Sequence, residues 1–171
     1  MFYNKKIAIV YKSKYGCTMK YAGWLAIKLD ADLYEISDVG RWDLLKYKTI
    51  IFGSPIYNSK IYILEYLLDK FKTISNKNIV LFCVSLNLQK HKEIIEYNFV
   101  DNEMKNKIKF FFLDGSINYN ELSKIDKFRL KKSLNKNLPK DLVSIEKNIN
   151  IDRSNKHTIK PILDYVLEKT Y

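Results

Sequence analysis

Residues 12–18 read KSKYGCT and bring together several groups that could do chemistry. Ser13 and Thr18 carry hydroxyls, Cys17 a thiol, Lys12 and Lys14 ammonium groups, and Gly16 no side chain at all. Three readings follow from these types at this spacing. The segment is a capped turn with no ligand, a reactive thiol beside lysines, or a cradle for an anion. A helix beginning here would present free backbone amides and the positive end of its dipole, which favour a negative charge. Gly16 could adopt positive φ and let the backbone approach a ligand closely. The segment is neither of the common phosphate motifs, since it lacks both G-x-x-x-x-G-K-S/T and G-x-G-x-x-G.

No other arrangement of side chains suggests chemistry. Cys17 and Cys83 are far apart and form no metal-ligand spacing, and His91 and His157 stand alone. Two reduced thiols in an intracellular, cytoplasmic chain are the expectation. The N-terminus MFYNKKIAIV lacks a signal-peptide layout, and no run of about 20 apolar residues suggests a membrane span. The chain has 171 residues, 47% of them apolar, enough for one domain with a substantial core. Its net charge of +11 is compatible with a polyanionic partner, an anionic membrane surface or an acidic substrate, or with a solvated lysine surface.

The elements that would position the 12–18 loop can be read from periodicity. Lys6–Tyr11 is short, apolar and β-branched, as a strand is. From Thr18 the pattern becomes helical, with Met19, Ala22, Leu25, Ala26 and Leu29 on one face and Thr18 as a candidate cap. Asp32–Ser37, Thr49–Gly53, Asn78–Val84 and Lys107–Leu113 read as further strands. Asp43–Lys46 is at most a short helix. Ile61–Lys72 (with Ile61, Leu64, Leu68 and Phe71 on a face), Lys92–Met104 and Lys156–Thr170 read as helices. Alternating strands and helices, with strands apolar on both faces, predict an α/β domain: a parallel sheet covered by helices on both sides. One domain over 1–171 is expected, interrupted by a polar Lys- and Asn-rich insertion at about 118–151 with a helix of its own at Lys124–Asn135.

In such sheets ligands bind at the carboxyl ends of the strands. That directs attention to the loops Lys12–Thr18, Ser54–Lys60, Ser85–Lys90 and Gly115–Asn120. Here a family resemblance emerges. Ser13-Lys14-Tyr15-Gly16-Cys17-Thr18 resembles the flavodoxin phosphate loop, Ser/Thr-x-Ser/Thr-Gly-x-Thr, with Tyr15 in place of a small hydroxyl residue. Gly53-Ser54-Pro55-Ile56-Tyr57 resembles the family's segment after the third strand. The resemblance implies a doubly wound, flavodoxin-like three-layer sandwich, its five parallel strands in the order 2-1-3-4-5, with FMN as cofactor.

GSPIY with Lys60 behind it, VSLN at Val84–Asn87 and DKF at Asp126–Phe128 look most like the branch containing menaquinone-dependent protoporphyrinogen oxidase. In that branch FMN passes electrons from a porphyrinogen to a quinone. By position, Ser13, Lys14, Tyr15, Gly16, Cys17 and Thr18 would hold the phosphate, Cys17 through its amide alone. Ser54, Pro55, Ile56, Tyr57 and Asn58 would line one edge and face of the flavin ring, with Tyr57 stacking on or shielding it. Ser85, Leu86 and Asn87 would line the other side. Asn58-Ser59 stands where related sequences often carry glycine.

The resemblance implies an FMN-dependent oxidoreductase. Its alternatives are an electron carrier for a redox protein partner and a binding module without redox turnover. Carriers of this type are typically acidic, which a charge of +11 disfavours. The segment from Ser123 to Lys140 carries seven basic residues (Lys124, Lys127, Arg129, Lys131, Lys132, Lys136, Lys140) against one acidic, Asp126. It reads as a solvated loop folding its apolar residues onto the domain, or as a contact for anionic lipid or a carboxylate-bearing substrate. No nucleic-acid reading motif accompanies the charge.

Overall fold

A computed structural model describes residues 6–40, 42–86, 88–137 and 150–171, with the backbone alone at 131–137. Asn87 and residues 138–149, including Leu138 and Lys140 of the basic segment, lie outside the described residues.

Five strands form the main sheet: β1 (Ile7–Tyr11), β2 (Asp32–Glu35), β3 (Thr49–Tyr57), β5 (Asn78–Ser85) and β6 (Ile108–Asp114). All pair in parallel, in the order β2-β1-β3-β5-β6. This is the predicted 2-1-3-4-5 order once the short β4 (Lys60–Ile61) is set aside, because β4 only folds back antiparallel onto the end of β3. Right-handed crossovers between parallel strands carry the helices to both faces.

The two faces follow from the period of two along each strand. On one face Ala8, Val10, Ile50, Phe52 and Leu81 meet Leu67 of α2 (Leu64–Ile74), Ile94 of α3 (His91–Asn98) and Met104 of α4 (Asn102–Lys107). On the other, Ile7, Ile9, Ile51, Val80 and Phe82 meet Tyr21, Leu25 and Leu29 of α1 (Cys17–Leu29), and Ile162 and Val166 of α6 (Lys160–Thr170). Central strands buried on both faces explain why TIIF and IVLF are apolar without alternation.

Several local expectations are corrected. Thr18 does not cap α1; Gly16 does, at φ 83°, with no side-chain cap bond, and Thr18 is buried in the first turn. The helix face is rotated from the expected one, with Tyr21 inside and Met19 half exposed. Ile61 belongs to β4, so α2 starts at Leu64 and buries Leu67 and Ile74 while Leu68 faces outward. The single helix expected at Lys92–Met104 is two. The Asp101 carboxylate accepts from the amides of Glu103 (2.8 Å) and Met104 (3.2 Å) and starts α4 afresh.

The insertion leaves and re-enters the domain at one place. β7 (Ser116–Asn118) pairs antiparallel with β8 (Asn150–Asp152), so the two ends of the excursion lie side by side. Between them stands α5 (Lys124–Asn137), two residues longer than expected.

Gly53 is set by packing. A Cβ there would stand 2.4 Å from the Phe82 ring of the neighbouring strand. Gly53→Ala should therefore lose about 1–3 kcal/mol through overpacking, read as a lowered urea midpoint with an unchanged slope. Adding Phe82→Leu should restore part of that loss.

Candidate functional site

β1 and β3 end together. The amide of Lys12 donates to Gly53 O (3.0 Å), so the chain leaves both strands at the same level. From there residues 12–16 turn into α1. The Gly16 amide donates to Ser13 Oγ (3.1 Å), which folds the loop over itself. The first intrahelical bond runs from the Lys20 amide to Gly16 O (2.9 Å). The amides of Cys17, Thr18 and Met19 precede it and have no helical acceptor. Among the described residues, and apart from its own chain neighbours, no atom lies within 4 Å of where a Gly16 Cβ would stand. The loop thus brings amides without helical acceptors together with a glycine that has room beside it.

The residues on either side of Gly16 line a cavity of about 840 Å³, of the size of small-molecule sites, roughly 300–1,000 Å³. Ser13, Lys14, Tyr15, Cys17 and Thr18 line one end. Pro55, Ile56, Tyr57, Asn58 and Ser59 form one wall, and Val84, Ser85 and Leu86 the opposite side, with Lys90 and Ile94 beside them. Gly115, Ser116 and Ile117 continue the floor, and Leu122, Ile125, Asp126, Phe128, Arg129 and Leu130 come from the insertion.

Most residues singled out in the sequence are brought together here. Ser54 is not on the wall. It is fully buried, its hydroxyl donating to Pro55 O (2.9 Å) and accepting from the Ile63 amide (3.0 Å), and it shapes the end of β3 from behind. Lys12 turns away from the loop, its ammonium 4.3 Å over the Tyr62 ring. Cys17 is free and partly buried in the first turn, and Cys83 is fully buried in the sheet, where burial pushes its thiol up.

Asn58 and Ser59 both have positive φ, 50° and 62°. They form the two-residue turn joining Tyr57 to Lys60, a geometry that needs two left-handed residues. Asparagine accepts this conformation better than most residues, so Asn58 suits its place without being glycine. Asn98 of α3 holds the turn down, its Nδ2 donating to Ser59 O (2.6 Å) and its Oδ1 accepting from the Ile61 amide (3.0 Å).

Tyr57 is fixed among aromatic edges. Its ring is near-perpendicular to Tyr62 (centroids 5.5 Å apart) and to Tyr15 (6.4 Å), and the Lys14 ammonium lies 5.5 Å from its centre. Burial, with the neighbouring Tyr15 and Asp126, pushes its hydroxyl up, so it stays a neutral donor.

Tyr15 points to the insertion. Its hydroxyl donates to Asp126 Oδ2 (2.5 Å) and accepts from the Ser123 amide (3.3 Å). Lys14 also donates to Asp126 Oδ2, and Arg129 Nη1 stands 3.3 Å from Oδ1. Lys14, then Tyr15, hold the Asp126 carboxyl down at about 2, and the same bond raises Lys14. Sequence reasoning did not place Asp126 in the site. Its signal was being the lone acid in a basic run.

The model of the flavodoxin domain family matches residues 8–141. The chain belongs to that family. No curated protein matches it. Among solved structures, oxidised Flavodoxin 2 from Bacillus cereus is 21% identical with a TM-score of 0.47, covering 64% of this chain and 84% of that one. A flavodoxin from the domain Archaea is 16% identical with a TM-score of 0.44, covering 63% and 77%. The Trp repressor binding protein from Bacillus subtilis is 18% identical with a TM-score of 0.44, covering 64% and 83%.

Family membership implies a flavin cofactor. The residues present fit one. A phosphate matches the free amides and open space at Gly16, and a flat ring matches the cavity between Tyr57 and the 84–86 side.

The Asp126 contacts have a pH signature. A carboxyl held below its ordinary 3.8 contributes stability that is complete above that value and is lost as pH falls toward about 2. Protection of α5 amides from hydrogen exchange, followed from pH 5 to about 2, should decline across this window in the wild type. Asp126→Asn should begin less protected and flatten the dependence.

Proposed function

We propose that the chain is an FMN-dependent oxidoreductase that moves electrons between a small substrate and an acceptor through the bound flavin. The observation that carries this reading is the turn into α1, whose Ser13, Lys14, Tyr15, Cys17 and Thr18 line the same cavity as Tyr57. The amides of residues 17–19 would hold the phosphate, with the Ser13 and Thr18 hydroxyls near it. The α1 dipole adds favourable potential at the same point. Lys14 brings a positive charge to the loop, although Asp126 shares it.

Tyr57, held on edge by two other tyrosines, would shield the ring from water, and Ile56 and Leu86 give apolar contact. The flavin, when bound, supplies the electron-transfer chemistry, and the protein supplies position and electrostatics. Among the described residues, the cavity contains no paired acid and base. The one carboxylate among its described lining residues, Asp126, is already held by three donors. The porphyrinogen donor and quinone acceptor of the branch that the sequence resembles are the first pair to try.

The test begins with the colour of the purified protein. Visible flavin absorbance, and FMN identified after extraction, are expected. Colourless protein that takes up neither FMN nor riboflavin overturns the reading. Rapid reoxidation of the reduced protein by a quinone supports a small acceptor. Reoxidation only by a ferredoxin-type protein indicates a carrier instead.

Gly16→Val should weaken FMN by about tenfold. The left-handed backbone costs a β-branched residue roughly 1–3 kcal/mol, and each 1.4 kcal/mol is about a factor of ten. Riboflavin, which lacks the phosphate, should lose less, as titration of flavin fluorescence would show.

A further inference from the structure

The insertion helix is joined to the phosphate loop in a way that neither the fold nor the loop requires. Its first turn is organised by Ser123, whose Oγ accepts from the Asp126 amide (3.1 Å) and whose carbonyl accepts from the Lys127 amide (2.9 Å). Ser123 and Asp126 then both bond to Tyr15, and Asp126 also bonds to Lys14. This differs from an exposed surface pair, which contributes little. The Asp126 side chain is only 12% exposed and has donors on both oxygens.

The apolar side chains of the same turn do the opposite. Ile125 is 62% exposed and Phe128 68% exposed, although both line the cavity. Leu122, just before the helix, is buried and anchors it. The helix is therefore held by a polar contact at its start. Its large apolar groups face a space that the described protein atoms do not fill.

We propose that Tyr15 and Asp126 are positioning residues that latch α5 over the cleft as its outer wall, making Ile125 and Phe128 ligand-contact residues for the flavin ring. This rests on the reading that the cleft takes a flavin. Tyr15 is the link at both ends: its ring meets Tyr57 on the inner wall, and its hydroxyl holds the helix. An aromatic ring in the cleft gives Phe128 a flat partner, in stacked or edge-on contact. The tyrosine in the phosphate loop thereby serves the wall rather than the phosphate.

The experiment compares wild type with Asp126→Asn, Tyr15→Phe and Phe128→Ala, all as the full chain. Hydrogen exchange of α5 is measured without ligand, and FMN and riboflavin affinities are measured by flavin fluorescence. Asp126→Asn and Tyr15→Phe should speed exchange in α5 and weaken FMN and riboflavin by the same factor, several-fold or more. Phe128→Ala should weaken both flavins while leaving ligand-free exchange as in wild type.

Unchanged affinities in Asp126→Asn overturn the proposal, whatever its exchange. So does tighter FMN with unchanged riboflavin, which would make Asp126 a competitor of the phosphate. Wild type that binds neither flavin overturns the cofactor reading first, and the ring contacts fall with it. Wild type that binds flavin, with variants indistinguishable from it, overturns the latch alone.

Discussion

The pairing of β1 with β3 determines where everything else in the site can be. The ladder runs in register from Ile7 opposite Thr49 to Tyr11 opposite Gly53, and the Lys12 amide closes it on Gly53 O. Both strands are buried on both faces, so a slip of one residue would exchange the two packed faces at once. The 12–16 segment and the Ser54–Tyr57 segment must therefore emerge side by side. Glycine at 53 lets Phe82 of β5 pack across this junction, which ties the third strand's exit to the same level.

From that junction α1 acts as a strut with two jobs. Its N-terminus offers free amides to the cleft, and its body holds the insertion. Tyr21 donates to Asp114 O (2.8 Å) at the end of β6 and accepts from the Asn155 amide (3.1 Å) beyond β8. Lys20 pairs with Asp152 (2.9 Å) and Ser154 (2.7 Å). One helix thus positions both the 12–16 loop and the base from which the insertion departs. Together with Tyr15 and Asp126, this couples the insertion to the site at its base and at the start of α5.

The positions of the buried strands were legible because continuous apolar runs admit few alternatives. The glycine-bearing loop was legible because its residue types sit at a strand-to-helix junction. Helix faces were less so. Met19 and Leu68 are apolar but point outward, since periodicity marks a stripe and not its edges. The break before α4 depended on one aspartate capping a new helix within a segment that looks continuous. A hydroxyl in a motif reads as a ligand group, whereas the bonds of Ser54 to Pro55 and Ile63 turn its side chain inward.

The sequence alone determined the α/β class and, through its family likeness, the strand order. Those properties follow from short-range patterns: runs of apolar residues, the period of two or 3.6, and glycine at a turn. What the tertiary structure decided was the destination of individual side chains. Tyr15 reaches residues more than a hundred positions away in the chain, Ser123 and Asp126, and not the open space at Gly16. The lone acid of a basic segment becomes a carboxylate bonded by Lys14, Tyr15 and Arg129 at the cleft. Such pairings arise only when β7 and β8 close the insertion and set α5 beside the first loop. Local sequence carries no record of a contact made through the fold.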